Sequence, residues 1–232
     1  MATASGTSRT PRFADRSDAG RRLAQLLDGY RPHEPVVVAI GPGAVPVAAE
    51  VARALQAPLD AVAVQPLTLG RGPSKRFGTA AEGAVTLFDP THLTAVDARP
   101  EAADSEIIDA QRRLEQQTHD WHSATGRVSL TGREVLLVAD TIADEELAAA
   151  AACEVRDRGA RHVTLAVPFA GLSTAETLVD WVDELICLAS IRRPPATADL
   201  YVEDQLPSDA EVTELLAQNK LERDARRARR NV

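Results

Sequence analysis

The chain has few cysteines and no long apolar run, and each shortage excludes a class of protein. Its two cysteines, Cys153 and Cys187, have the spacing of neither a metal site nor a redox pair. We expect both to be free thiols, buried in a protein of a reducing cytosol. No apolar run approaches the roughly 18–20 residues that span a bilayer, so we expect no membrane partner.

We also expect no targeting signal in the first residues. Residues 1–12 contain no apolar core, which excludes a secretory signal peptide, and their composition predicts disorder. Hydrophobic residues make up 44% of the chain and charged residues 26%, so a sizeable core can form. The sequence predicts a soluble, cytoplasmic protein with one domain over 13–219 and a basic tail over 220–232.

Charge is unevenly distributed along the chain. The net charge is −8, yet residues 220–232 carry +4, so the remainder carries −12. An acidic body repels nucleic acid, and only the tail could contact it. We therefore do not expect a nucleic-acid partner, and binding through the tail is the weakest of the functional hypotheses.

One stretch, residues 134–160, has the order of a parallel βαβ unit. A short apolar run at 135–139 suits a strand buried on both faces. A turn at 140–146 and an alanine-rich helix to about 158 follow, and Gly159 ends that helix. A second apolar run begins at 163. The turn lies at the carboxyl end of its strand, where open α/β sheets bind ligands.

A second unit precedes it. An apolar strand at 36–40 leads through Gly-Pro-Gly-Ala to a small-residue helix at about 45–56 and a strand at 59–64. Two such units predict an α/β fold, a mostly parallel sheet with helices on both faces. Residues 66–82 have no periodicity and predict a functional or mobile loop. His119 and His122 could share a metal, although no third ligand is nearby.

Four segments resemble a bacterial family of predicted type I phosphoribosyltransferases. A GVPVAxEVAxxLxAPLD pattern recurs at 45–60, an LxGRxVxLV pattern at 130–138 and a DxEVxxLL ending at 209–216. The FxDRxxAGxxLAxxL pattern keeps Phe13, Asp15, Arg16, Ala19, Gly20, Leu23, Ala24 and Leu27. The resemblance implies a phosphoribosyltransferase-like fold with a small acceptor hood.

In this family the turn after the central strand resembles VDDGxATGxT. Its two acids contact the ribose of phosphoribosyl pyrophosphate (PRPP), directly or through water and Mg²⁺, and its Thr-Gly part wraps the 5′-phosphate with backbone N–H groups. Here one acid remains, which could hold Mg²⁺, and carboxylates replace Thr-Gly. The aligned PRPP-loop residues are Ala139, Asp140, Thr141, Ile142, Ala143, Asp144, Glu145 and Glu146.

The carboxylates at 144–146 allow two interpretations. Two charges 4 Å apart interact by about 4 kcal/mol at an effective dielectric constant near 20. A helix N-terminus attracts an anion by only roughly 0.3–2 kcal/mol, so these side chains would repel a 5′-phosphate. Alternatively they are ordinary first-turn residues that complement the helix dipole.

Two further anion-binding elements also depart from the family pattern. The family's LPRGG loop, which lies near the pyrophosphate, corresponds here to Ile40 followed by Gly41, Pro42, Gly43 and Ala44. Pro42 replaces the arginine and has neither charge nor N–H. The family's VRKLG reads Val-Gln-Pro-Leu-Thr at 64–68, so an Arg-Lys pair is lost as well. In the next loop Arg71, Lys75 and Arg76 could partly substitute for it, or could be solvated charges.

The leading hypothesis is a catalytically degenerate phosphoribosyltransferase homologue, a pseudoenzyme that acts as a regulator or oligomer partner. It predicts a homo-oligomer, a small phosphorylated ligand and no firm cofactor. The alternative is an active Mg²⁺-dependent phosphoribosyltransferase for a nucleobase or related acceptor. In that case Asp140, helped by Asp144 or Glu145, would hold Mg²⁺, and the metal would hold the diphosphate.

Overall fold

The computed structural model describes residues 2–3, 12–69, 76–88, 100–142, 144–171, 174–191 and 197–230. Its strands are β1 (Ala2–Thr3), β2 (Val36–Ile40), β3 (Leu59–Val62), β4 (Val64–Thr68), β5 (Arg76–Ala81), β6 (Thr86–Phe88), β7 (Glu134–Val138), β8 (His162–Gly171) and β9 (Glu184–Ile191). Its α-helices are α1 (Arg16–Leu26), α2 (Gly41–Leu55), α3 (Pro100–His122), α4 (Glu145–Asp157), α5 (Thr174–Leu178), α6 (Thr197–Leu200) and α7 (Asp209–Arg230). A 3₁₀ helix, Asp28–His33, follows α1.

Six strands form one parallel sheet in the order β1-β9-β8-β7-β2-β3. The two predicted βαβ units supply its centre, because β2 and β7 are neighbours although about a hundred residues separate them along the chain. The predicted α/β class, a mostly parallel sheet flanked by helices, is confirmed.

Alternate residues of the central strands pack into two separate cores, since successive side chains of a strand point to opposite faces. Val37 and Leu136 join one core, with residues of α1, α2 and α7. Val36 and Leu137 join the other, which contains the alanines of α4. The central strands are therefore buried on both faces, as their unbroken apolar runs predicted.

Much of the segment predicted as a loop at 66–82 is a small antiparallel sheet, in the order β4-β5-β6. The loop prediction is wrong here because the side chains of Phe77, Ala80 and Ala81 are completely buried, and that tertiary packing outweighs the weak local pattern. Residues 70–75 lie outside the described part of the chain.

The ends of the chain are partly described. Ala2–Thr3 pair with β9, whereas most of the remaining segment predicted to be disordered lies outside the described residues. The described part of the predicted basic tail, 220–230, continues helix α7, and Lys220 donates to the carbonyl of Thr125 at 2.9 Å.

The cysteines and the membrane prediction can be compared with the described structure. Both cysteines are free thiols; Cys187 is buried and Cys153 is half-buried rather than fully buried. Within the described ranges, no helix combines the length and the apolar character needed to cross a membrane.

Candidate functional site

The two predicted ligand-binding segments meet at one edge of the central sheet. Gly41 follows β2 and Asp140 follows β7, and the carboxyl ends of these parallel neighbours lie side by side. A Cβ added at Gly43 would lie 2.8 Å from Oδ2 of Asp140 and 3.1 Å from Leu206. Glycine is therefore the residue that allows α2 to approach Asp140 so closely.

The segment predicted as a pyrophosphate loop is the first turn of α2. The helix begins at Gly41, so the predicted start near residue 45 is wrong by four residues. Gly41 has φ +67°, a left-handed conformation that leads the chain directly from strand to helix. Pro42 is tolerated in this first turn because a backbone N–H at this position would have no partner within the helix, so proline loses nothing by lacking one. Ala44 is completely buried and cannot contact a ligand.

Asp140 is bound by a buried arginine from α1. Nε of Arg16 donates to Oδ2 of Asp140 at 2.9 Å, and Nη2 donates to Asp204 at 2.8 Å. The Arg16 side chain is only 4% exposed, and its guanidinium lies 4.8 Å from the centre of the Tyr201 ring. The Tyr201 hydroxyl donates to the Asp140 carbonyl at 2.6 Å. These contacts hold the Asp140 carboxylate in place and neutralise its charge.

The protonation of Asp140 is set by two opposing effects. Burial raises the pKa of its carboxyl, and the Arg16 guanidinium opposes that shift.

Arg16 belongs to the FxDRxxAG pattern, but the pattern alone assigned it no role at the site. Asp204 and Tyr201 were not identified at all. Each of these contacts joins residues more than sixty positions apart along the chain, so no local pattern could show it.

The helix after the turn is capped by its own side chain. Asp144 is the N-cap residue of α4, and its Oδ1 accepts from the backbone N–H of Glu146 at 3.1 Å and of Leu147 at 3.4 Å. N–H groups of this first turn are those that would otherwise bind an anion. Here an internal carboxylate occupies them.

Arg76 binds the same carboxylates from the small sheet. It is the first residue of β5, and it donates to Asp144, to Thr79 and, at 2.7 Å, to Oε2 of Glu146. Its side chain is 18% exposed, so it is a largely buried ion-pair partner and not a solvated charge. The turn that looks strongly acidic in the sequence thus contains a matching guanidinium.

The remaining predicted positions contribute less. Ala139 and Ile142 are buried in the core, and Thr141 is half-buried. The side chain of Glu145 makes no hydrogen bond or ion pair within the described part of the chain. Three further predicted positions lie outside the described residues: Arg71, Lys75 and Ala143.

These residues do not fit a magnesium ion held by the protein. Asp140 is committed to Arg16, and Asp144 to Arg76 and the helix N–H groups. Among the described residues there is no group of three or more His, Cys, Asp or Glu side chains that could hold a metal. His122, which was considered with His119 as a metal pair, is bonded instead to Asp60 at 2.5 Å.

Comparisons with known proteins agree with the fold. A Mycobacterium tuberculosis protein (strain H37Rv) with the name "Putative phosphoribosyl transferase" is 36% identical over 209 residues, which are 88% of this chain and 46% of that protein. Its counterpart in strain CDC 1551 gives the same values. The chain thus spans about half the length of the curated relatives it matches. No family model matches the chain.

A solved structure covers nearly the same region. The crystal structure of TT1426 from Thermus thermophilus matches with a TM-score of 0.73 at 29% identity, over 89% of this chain and 98% of that one. Similarity of this extent, in sequence and in structure, reflects common descent and a common fold. Over the region that it shares with the mycobacterial proteins, the chain is therefore a homologue of proteins that bear the name of phosphoribosyl transferases.

Proposed function

We propose that this chain is a catalytically degenerate member of the phosphoribosyltransferase family, which does not bind PRPP in the usual way and acts by binding, as a regulator or an oligomer partner. One observation carries the proposal. The turn after β7, where the family binds the 5′-phosphate, is filled by internal contacts: Asp144 occupies the first N–H groups of α4, and Arg76 pairs with Asp144 and Glu146.

A phosphate would have to displace these contacts. It would compete with Asp144 for the N–H groups, although a helix N-terminus stabilises an anion by only roughly 0.3–2 kcal/mol. It would also meet carboxylates, and at 4 Å each pair of like charges costs about 4 kcal/mol at an effective dielectric constant near 20. Arg76 offsets part of this repulsion, because it already pairs with Asp144 and Glu146. PRPP binding is therefore expected to be weaker by orders of magnitude than in a site with free amides.

Isothermal titration of the purified chain with PRPP and Mg²⁺ tests the proposal. We expect no heat of binding at micromolar PRPP. A micromolar dissociation constant would overturn the proposal and favour the active Mg²⁺-dependent enzyme instead. In that case, PRPP-dependent release of pyrophosphate with a nucleobase acceptor would identify the reaction.

A rebuilt site provides the positive test. The triple variant Asp144→Thr, Glu145→Gly and Pro42→Arg restores the residue types of the family pattern, and we expect it to gain measurable PRPP affinity. The variant Glu214→Gln, at an exposed position of α7, serves as the control and should gain none. If the triple variant gains no affinity either, the pocket differs from the family's site at more than these positions.

Two proposed interactions need separate measurements. Self-association into a homo-oligomer would appear in light scattering after size exclusion. Nucleic-acid binding through the basic end of α7 remains the weakest hypothesis. Deleting residues 220–232 should leave any salt-dependent retention of DNA unchanged, and a clear loss of retention would support that hypothesis.

A further inference from the structure

A cavity of ≈ 680 Å³ lies at the amino ends of the central strands, whereas Asp140 lies at their carboxyl ends. Three of its lining residues are the first residues of neighbouring parallel strands: Glu134 of β7, His162 of β8 and Glu184 of β9. The 3₁₀ helix supplies Tyr30 and His33 to its wall. The complete lining is Gly29, Tyr30, His33, Glu134, Arg161, His162 and Glu184. Neither the family pattern nor the site described above accounts for this arrangement.

Glu134 fixes two cationic or potentially cationic groups at the cavity. Its Oε1 accepts from Nη2 of Arg161 at 2.9 Å, and its Oε2 lies 3.0 Å from Nδ1 of His33. Both carboxylate oxygens are thus committed. The other guanidinium nitrogens of Arg161 have no partner within the described ranges, so Arg161 retains donors for an anionic group. Because Nδ1 of His33 faces Glu134, its Nε2 becomes a donor only when the ring is protonated.

Glu184 offers the opposite charge. The Tyr30 hydroxyl donates to its Oε2, and burial raises the pKa of Tyr30 to about 12, so this phenol keeps its proton at neutral pH. The hydrogen bond orients the carboxylate and leaves Oε1 without a partner among the described residues. A carboxylate oxygen of this kind accepts a hydrogen bond from an ammonium group.

We propose that this cavity binds a small zwitterion, a free amino acid or a dipeptide. Glu184 would accept from its ammonium group, and Arg161 would donate to its carboxylate, joined by His33 when that ring is protonated. A ligand with one charge satisfies only one of these groups, whereas a zwitterion pairs with both. The volume lies within the roughly 300–1,000 Å³ that is common for small-molecule sites. The proposal goes beyond the proposed function and does not depend on whether PRPP binds.

Ligand-detected NMR of the intact chain with the free L-amino acids and glycylglycine at millimolar concentration tests this assignment. We expect at least one of them to bind. The N-acetyl and the C-terminal amide forms of that binder each lack one of the two charges, and each should bind about tenfold more weakly or worse, which corresponds to 1.4 kcal/mol.

Three variants locate the binding. Arg161→Gln and Glu184→Gln should each weaken the binder about tenfold, and Gln at 184 can still accept from Tyr30, so the fold should be kept. Arg112→Gln, at an exposed position of α3 outside the cavity lining, is the matched control and should bind like the wild type. The proposal is overturned if no compound binds, if the blocked forms bind equally well, or if the two cavity variants bind like the control.

Discussion

The structure makes a specific prediction about the stability of Glu154→Gln. Glu154 belongs to α4 and is only 3% exposed, and a Cβ added at Gly83 would collide with its carboxylate. Burial is the main cause that raises the pKa of Glu154 to about 7, and the charge of Glu82 adds to it. Arg127 and Arg158 act in the opposite direction. The Glu154 carboxylate has no hydrogen-bond partner among the described residues, so no donor favours its charged form.

The expected magnitude follows from the two pKa values. The ordinary value is 4.5 and the folded value is about 7, so the difference is roughly 2.5 pKa units, each worth 1.36 kcal/mol. The folded state holds a proton that the unfolded state has already released between these values. The contribution of Glu154 to stability therefore falls as the pH rises from about 4.5 to 7, by up to about 3 kcal/mol. Glutamine stays neutral and should not show this loss.

Urea unfolding followed by circular dichroism at pH 5, 6, 7 and 8 measures the effect. The free energy of unfolding of Glu154→Gln, minus that of the wild type, should increase with pH and reach about 2–3 kcal/mol at pH 8. Glu214→Gln replaces an exposed glutamate of α7 and should give a difference near zero throughout. A flat or decreasing difference for Glu154→Gln would refute the reasoning.

Two further substitutions test packing and capping. Asp144→Ala should lower the free energy of unfolding by about 1–2 kcal/mol because α4 loses its N-cap, whereas Asp144→Asn keeps a capping oxygen and should cost less in the same urea titration. Gly20→Ala should cost about 1–3 kcal/mol, since its Cβ would lie 2.5 Å from the Val47 carbonyl between α1 and α2. Gly29→Ala, where the added Cβ meets nothing within 4 Å, is its control, and equal losses at both glycines would contradict this explanation.

The features that could be predicted from the sequence depend on local patterns. Unbroken apolar runs marked β2 and β7, and the alanine-rich stretch with Gly159 marked α4 and its end. The pattern also placed each segment at the carboxyl end of a parallel strand, but only the structure shows that β2 and β7 are neighbours. Helix α2 was predicted to start too late because Gly41 and Pro42 are typical of loops, and only the backbone angles show that they begin a helix.

The contacts that decide the chemistry of the site are not local. Arg16 binds Asp140 across 124 residues of sequence, and Arg76 binds Asp144 across 68. Either arginine read alone is one of many charged residues, and a charged side chain on the surface is the commoner case. Burial and partners distinguish these two, and the fold determines both. A single sequence therefore shows the acidic turn but not the guanidinium that neutralises it.

The two interpretations of the acidic turn are compatible once Arg76 is included. Asp144 complements the start of α4, as the ordinary first-turn interpretation requires, and in doing so it occupies the N–H groups that a phosphate would need. On the proposed function, a phosphate would be excluded mainly because Asp144 occupies these N–H groups, since Arg76 partly cancels the repulsion. The triple variant keeps Glu146, so we expect Arg76 to remain beside the first N–H groups of α4. We therefore expect the Arg76 guanidinium to contribute to the affinity of this variant for PRPP.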